Sequence, residues 1–149
     1  MKILFLCHGN ICRSPMAEFV FKNMVKEQGL SDRFRIFSAG VSPEELGNDI
    51  YPPAKAQLRQ HGVPFSPHSA HVITSEEYRS SDMVIAMDRA NLRWLQRITG
   101  DLSKVSLLLD YTDHPRDVAD PWYCGNFDQT WKDIKNGCSG LLRKILSDM

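Results

Sequence analysis

No stretch of this chain is apolar for long enough to cross a bilayer, and the opening Met1 to Cys7 carries too short an apolar run for a secretory signal. Neither sign of charge predominates. The 18 basic residues balance 18 acidic ones and both are dispersed, so no global field favours nucleic acid or a membrane surface, and any affinity for anions has to be local. Cysteine is scarce: Cys7, Cys12, Cys124 and Cys138 show no regular spacing, which argues against a disulfide framework and fits a reducing, cytoplasmic compartment. Structural zinc wants four ligands in paired clusters, and Cys124 and Cys138 supply neither a pair nor a nearby histidine. Repeats and low-complexity linkers are also missing. With 149 residues and 42% apolar content, the chain suits one core, hence a single domain over 1–149, expected as a monomer without cofactor or metal.

Against this spare background the segment Cys7-His8-Gly9-Asn10-Ile11-Cys12-Arg13-Ser14 stands out. It places a thiol and a guanidinium at the two ends of one short loop. The loop follows the apolar run Ile3 to Leu6, a buried strand, and leads into Ser14-Pro15, a helix start with a capping hydroxyl and proline at the first helical position. Between strand and helix, backbone N–H groups of such a loop converge on an anion and the helix adds its positive end. A free cysteine is largely protonated near neutrality and is a nucleophile only as thiolate, which these donors and Arg13 favour. The planar fork of Arg13 holds two oxygens of a phosphoryl group at once, which lysine does not do. Gly9 permits close backbone approach or positive φ, and Asn10 is the next most permissive residue, so the loop can curl. A lone cysteine at a strand end is more often core than catalyst; the thiol, five intervening residues, Arg and Ser between strand and helix make a far more specific pattern.

Strand and helix signals alternate along the rest of the chain. Met16, Phe19, Val20 and Met24 recur at helical spacing, Arg33 to Ser38 reads as a strand, and Pro43 to Pro53 as a loop. A helix from Ala54 to His61 stops at Gly62, and a short one lies around Ser75 to Arg79. Met83 to Met87 is a third strand, Asp88 caps a helix with Leu92, Leu95 and Ile98 on one face, and Val105 to Leu109 is a fourth strand. Trp131, Ile134, Cys138, Leu141, Leu142, Ile145 and Leu146 continue a helix despite Gly137 and Gly140. The pattern predicts an α/β fold: one four-stranded parallel sheet, doubly wound with helices on both faces, the phosphate loop lying between first strand and first helix. Ligands in such folds bind beyond the strand carboxyl ends, where Cys7, Ser38 and Asp88 would emerge.

Cys7 through Pro15 resembles the low-molecular-weight protein tyrosine phosphatase signature Cys-x-Gly-Asn-x-Cys-Arg-Ser-Pro, and Asp120-Pro121-Trp122-Tyr123 resembles that family's Asp-Pro-aromatic-Tyr loop. Ser38-Ala39-Gly40, His68 and Met87 to Leu92 fall in the expected order between them, so the resemblance covers the whole chain. It implies a metal-independent phosphatase acting on phosphotyrosine-containing proteins or peptides and small aryl phosphates, inhibited by phosphate-like oxyanions. Cys7 is the implied nucleophile, passing through a phosphocysteine, with Arg13 and the backbone of His8, Gly9, Asn10, Ile11, Cys12 and Ser14 holding phosphate oxygens. Asp120 is the implied general acid, then base; spacing alone does not separate it from Asp110, Asp113 and Asp117. Asn10, Ser14, Ser38 and His68 occupy positions whose hydrogen bonds hold the loop, while His61, His71 and His114 read as ordinary surface histidines. Asp88 reads first as a helix cap.

Trp122 and Tyr123 are expected to wall one side of an aromatic slot and Glu44 the opposite rim, where some relatives carry an aromatic residue. His8 replaces a residue that is often apolar. Relatives that dephosphorylate phosphoarginine tend to carry threonine where this chain has Ile11, which favours phosphotyrosine. In the family the thiol at Cys12 can form a reversible disulfide with the nucleophile, limiting over-oxidation. Two other classes use related parts. An arsenate-reductase-like thiol enzyme needs a relay of further cysteines, and none lies between Cys12 and Cys124; a non-catalytic phosphate-binding module would not need Cys7, Arg13 and Asp120 together.

Overall fold

The computed structural model describes all 149 residues. Four parallel strands, β1 (Lys2–Cys7), β2 (Arg35–Gly40), β3 (Met83–Ala86) and β4 (Val105–Leu107), form one sheet in the order β2-β1-β3-β4. Six helices accompany them: α1 (Arg13–Glu27), α2 (Pro52–Gln60), α3 (Ser75–Ser80), α4 (Arg89–Thr99), α5 (Pro121–Cys124) and α6 (Phe127–Ser147). This is the doubly wound α/β architecture that the alternating pattern predicts.

Side-chain alternation along β1 divides the interior in two. Ile3, Phe5 and Cys7 join a large cluster beneath α1, α2 and α6, while Leu4 and Leu6 join a smaller one with Tyr78, Val84 and Leu95 beneath α3 and α4. Because the chain leaves β1 for β2 on one side and later returns to β3 on the other, the carboxyl end of β1 lies at the switch in strand order. Cys7 is the last residue of that strand.

Three local expectations change. β4 ends at Leu107, and Leu108–Tyr111 tightens into a 3₁₀ turn packed on α6. Gly137 and Gly140 permit this: a Cβ at Gly137 would collide with Leu108 and one at Gly140 with the Tyr111 carbonyl. The loop from Pro43 to Pro53 contains a 3₁₀ turn at Pro43–Glu45 and already enters α2 at Pro52. Ser14 does not cap α1. The helix starts at Arg13, the capping position is Cys12 with no side-chain bond, and the Ser14 hydroxyl is turned inward to Cys7 and Asn10.

Candidate active site

Residues 8–12 turn out of β1 into α1, and the backbone N–H groups of His8, Gly9, Asn10, Ile11 and Cys12 have no acceptor within the protein. Unpaired amides are rare in folded chains, so five in succession curled beside a thiol make an anion-binding nest at the positive end of a helix of 15 residues. The curl depends on Asn10, whose φ of 62° is the chain's one left-handed non-glycine residue. Gly9 is not left-handed. Its missing side chain instead makes room for Glu45, whose Cγ would stand 3.3 Å from a Cβ there.

Every polar atom of the Asn10 side chain is used. Its amide donates to Ser14 Oγ at 2.8 Å and Ser38 Oγ at 3.1 Å, and its Oδ1 accepts the His71 N–H at 3.2 Å. His68 Nε2 donates to the Asn10 carbonyl at 2.7 Å. These bonds set polarity. Ser14 Oγ accepts from Asn10, leaving its proton for Cys7 Sγ at 3.0 Å; Ser38 Oγ also accepts from Asn10 and donates to Glu18 Oε1 at 2.6 Å. Glu18, buried on α1, is in turn held by Lys22 at 2.5 Å. Ser14 is thus aimed to stabilise a thiolate. Gly40 closes the loop from below: a Cβ there would lie 2.7 Å from the His8 carbonyl and 3.2 Å from Asn10 N. The Tyr51 N–H binds the Ile11 carbonyl at 2.9 Å from the other side.

Arg13 is 2% exposed and holds its fork in place with Nη1, which donates to Asp88 Oδ2 and the Val118 carbonyl, each at 2.7 Å. Its Nη2 lies 3.5 Å from Asp120 Oδ2. Burial alone would lower the guanidinium's pKa, yet the charges of Cys7, Asp88 and Asp120 outweigh it and raise it above the ordinary arginine value. Asp88 therefore does two jobs. Its Oδ1 caps α4 by accepting the Asn91 N–H at 2.8 Å while Oδ2 orients Arg13. Burial first, then the charges of Cys7 and Asp120, push the Cys12 thiol far above the usual thiol range, so it stays protonated.

Cys7, His8, Gly9, Ile11, Cys12 and Arg13 form the floor of a cavity of about 120 Å³, with Glu44, Glu45, Asp120, Trp122 and Tyr123 around its mouth. That is small beside the ~300–1,000 Å³ of typical ligand sites, suiting a phosphoryl group and the start of a ring rather than a bulky metabolite. Among the four candidate carboxylates only Asp120 borders it. Asp117 accepts the Arg89 N–H at 3.2 Å and Asp110 the Leu107 N–H at 3.2 Å, while Asp113 lies on the exposed loop. Asp120 Oδ1 accepts the Trp122 N–H at 3.0 Å, which caps the single turn of α5. Trp122 leans on Tyr51 with ring centroids 4.8 Å apart. Across the mouth, His8 Nε2 is 3.6 Å from Glu44 Oε2.

The structure brings together every residue singled out from the sequence for this site. It adds others: Glu18, Gly40, Glu45, Tyr51, the His71 backbone and the Asp88–Arg13 pair. Of these, the sequence marks Asp88 first as a cap, Gly40 only by its place in the motif order and His71 as an ordinary surface histidine.

The family description "Low molecular weight phosphotyrosine protein phosphatase" matches residues 2–149. The chain is 36% identical to low molecular weight protein-tyrosine-phosphatase YfkJ of Bacillus subtilis, over 97% of this chain and 96% of that protein, and the YfkJ crystal structure superposes with a TM-score of 0.95. The human low molecular weight phosphotyrosine protein phosphatase is 35% identical over 95% of this chain and 94% of its own. A Drosophila arginine phosphatase, 30% identical over the full length of both chains, superposes with a TM-score of 0.90. Motif, sheet order and whole-length similarity agree: this chain belongs to the low molecular weight phosphotyrosine protein phosphatase family.

Proposed function

We propose that this protein hydrolyses phosphotyrosine monoesters, and small aryl phosphates, through a phosphocysteine at Cys7. The observation that carries the reading is the row of five unpaired amides at residues 8–12 curled around a thiol beside a buried, pre-aimed arginine. The nest and Arg13 hold the three non-bridging oxygens and place phosphorus over Sγ. In the first step the S–P bond forms and the P–O bond to the phenol breaks, while Asp120 gives its proton to the departing oxygen, whose free phenol pKa is near roughly 10. In the second, water attacks phosphorus, Asp120 takes the water's proton, and the S–P bond breaks to release phosphate and thiolate. Ser14 donates to that thiolate. Charge is balanced by Arg13 and the amides, so no metal enters the scheme, and phosphate-like oxyanions compete for the same nest.

Cys12, kept protonated by its surroundings, does not rival Cys7 as nucleophile; under oxidant it supplies the second sulfur of a reversible disulfide. The chain works as a monomer in the cytoplasm, where its thiols remain reduced. No helix is long and apolar enough to cross a membrane.

Hydrolysis of p-nitrophenyl phosphate at mildly acidic pH with excess chelator tests the scheme. Turnover that vanishes in Cys7→Ser is expected; a folded, reduced wild type without turnover would sink it. Likeness to the arginine phosphatase keeps phosphoarginine as a second substrate. Ile11, which forms part of the cavity floor, favours the aromatic ester, so kcat/KM should be higher for phosphotyrosine than for phosphoarginine.

A further inference from the structure

His8 has unlike neighbours: Glu44 Oε2 lies 3.6 Å from its Nε2, and its ring meets Trp94 of α4, the helix whose N-terminal cap Asp88 touches Arg13. This helix has no acidic residue and carries Arg89, Arg93 and Arg97 at successive four-residue steps, all exposed. None of the three joins any ion pair of the protein. Like charges spaced by four residues destabilise a helix by roughly 0.2–0.5 kcal/mol per pair, so an uncompensated row is a cost without benefit to the isolated fold. Trp94 interrupts that row. It is 40% exposed, the Arg97 guanidinium lies 5.7 Å from its ring centroid, and its ring meets His8 edge-on at 5.5 Å. His8 also forms part of the cavity floor, so the strip from cavity to Trp94 and Arg97 is continuous.

We infer that the outer face of α4, centred on Arg93, Trp94 and Arg97, docks an acidic segment that flanks the phosphotyrosine of the substrate. The inference rests on the phosphotyrosine reading above. A cavity this small takes the phosphorylated side chain alone, and the rest of the peptide must cross its rim. A flank that runs over His8 meets α4, whose three unpaired arginines attract carboxylates and outnumber Glu44 and Glu45 at the rim. Trp94 holds the Arg97 guanidinium by a cation–π contact, leaving its N–H edge free for a carboxylate. His8 links this strip to the floor of the cavity. A uniformly polar rim would show no such preference for one flank.

The test compares short phosphotyrosyl peptides bearing glutamates on the amino-terminal side, on the carboxyl-terminal side, or alanines on both, with p-nitrophenyl phosphate alongside. At low salt, glutamates on one flank alone should raise kcat/KM by about fivefold over the alanine peptide, the size that two exposed ion pairs supply. That gain should fade at high salt and disappear in the Arg93→Ala/Arg97→Ala double variant. Equal rates for all three peptides, with phosphotyrosine still hydrolysed, would overturn the docking surface and leave the proposed function standing. A gain that survives the double substitution would also overturn it. Hydrolysis of the aryl phosphate but of none of the peptides would overturn the phosphotyrosine reading and the docking surface together.

Discussion

Among the loops that border the cavity, two differ most: residues 10–14 are buried at every position, whereas Trp122 and Tyr123, beside Asp120, stand 51% and 84% exposed. The phosphate loop is held by Ser38, His68 and His71 through Asn10, and by Asp88 and Val118 through Arg13. The turn that carries Asp120 is one short helix with a self-made cap and a ring resting on Tyr51. The contrast follows what each loop meets. A phosphoryl group always presents the same charge and shape, so its cradle gains from being fixed beforehand. The side chains around a phosphotyrosine vary, and a sparsely tethered aromatic wall adapts to them.

The sharpest way to break this contrast is Arg13→Lys. If charge alone mattered the variant would work; because the fork is pre-aimed by Asp88 and Val118, kcat on p-nitrophenyl phosphate should fall by about 10²–10³. Next comes Asn10→Ala. A left-handed alanine costs about 1–2 kcal/mol, and orphaning the Ser38, Ser14 and His71 partners adds a similar amount, so urea unfolding should show a loss of about 2–4 kcal/mol. Trp122→Ala, on the opposite wall, should alter stability by less than about 1 kcal/mol yet raise KM for a phosphotyrosyl peptide by up to about tenfold. A stability loss as large as that of Asn10→Ala would erase the distinction between the loops.

A last test turns from the loops to the buried thiols. Burial pushes the Cys138 thiol far up, as it does Cys12, so the folded protein keeps protons that the unfolded chain releases above about pH 8.5. Stability therefore falls as pH rises past that point, by up to about 1.4 kcal/mol per pH unit for each thiol. Denaturation series between roughly pH 8 and 10 should show a shallower slope for Cys138→Ala than for wild type.

Much of this architecture was legible beforehand because its signals are local. The run Ile3 to Leu6, the spacing in α6 and the eight residues from Cys7 to Ser14 each speak for themselves within a few positions. What escaped was set by partners distant in sequence. Ser14 has the right residue type and place for a helix cap, and the curl that Ser38, His68 and His71 impose through Asn10 turns its hydroxyl elsewhere. Asp88 looked like a cap and is one, but its second oxygen meets Arg13 across 75 positions. The truncation of β4 likewise depends on glycines some thirty residues later, whose meaning lies in the turn pressed against them. Asp120 stood apart from Asp110, Asp113 and Asp117 by family resemblance, and in the structure it stands apart by location.

The scattered anchoring of Asn10 and Arg13 has a consequence for the order of synthesis. The ribosome makes Cys7 long before it makes the groups that shape its surroundings: Ser38 and Gly40 come next, then His68 and His71, then Asp88, and the Val118 carbonyl last. A growing chain that has passed its first fifty residues already displays the whole motif but lacks most of what bends it into a cradle. The nucleophile therefore gains its chemistry late, and a polypeptide stalled midway carries the signature without the means to use it.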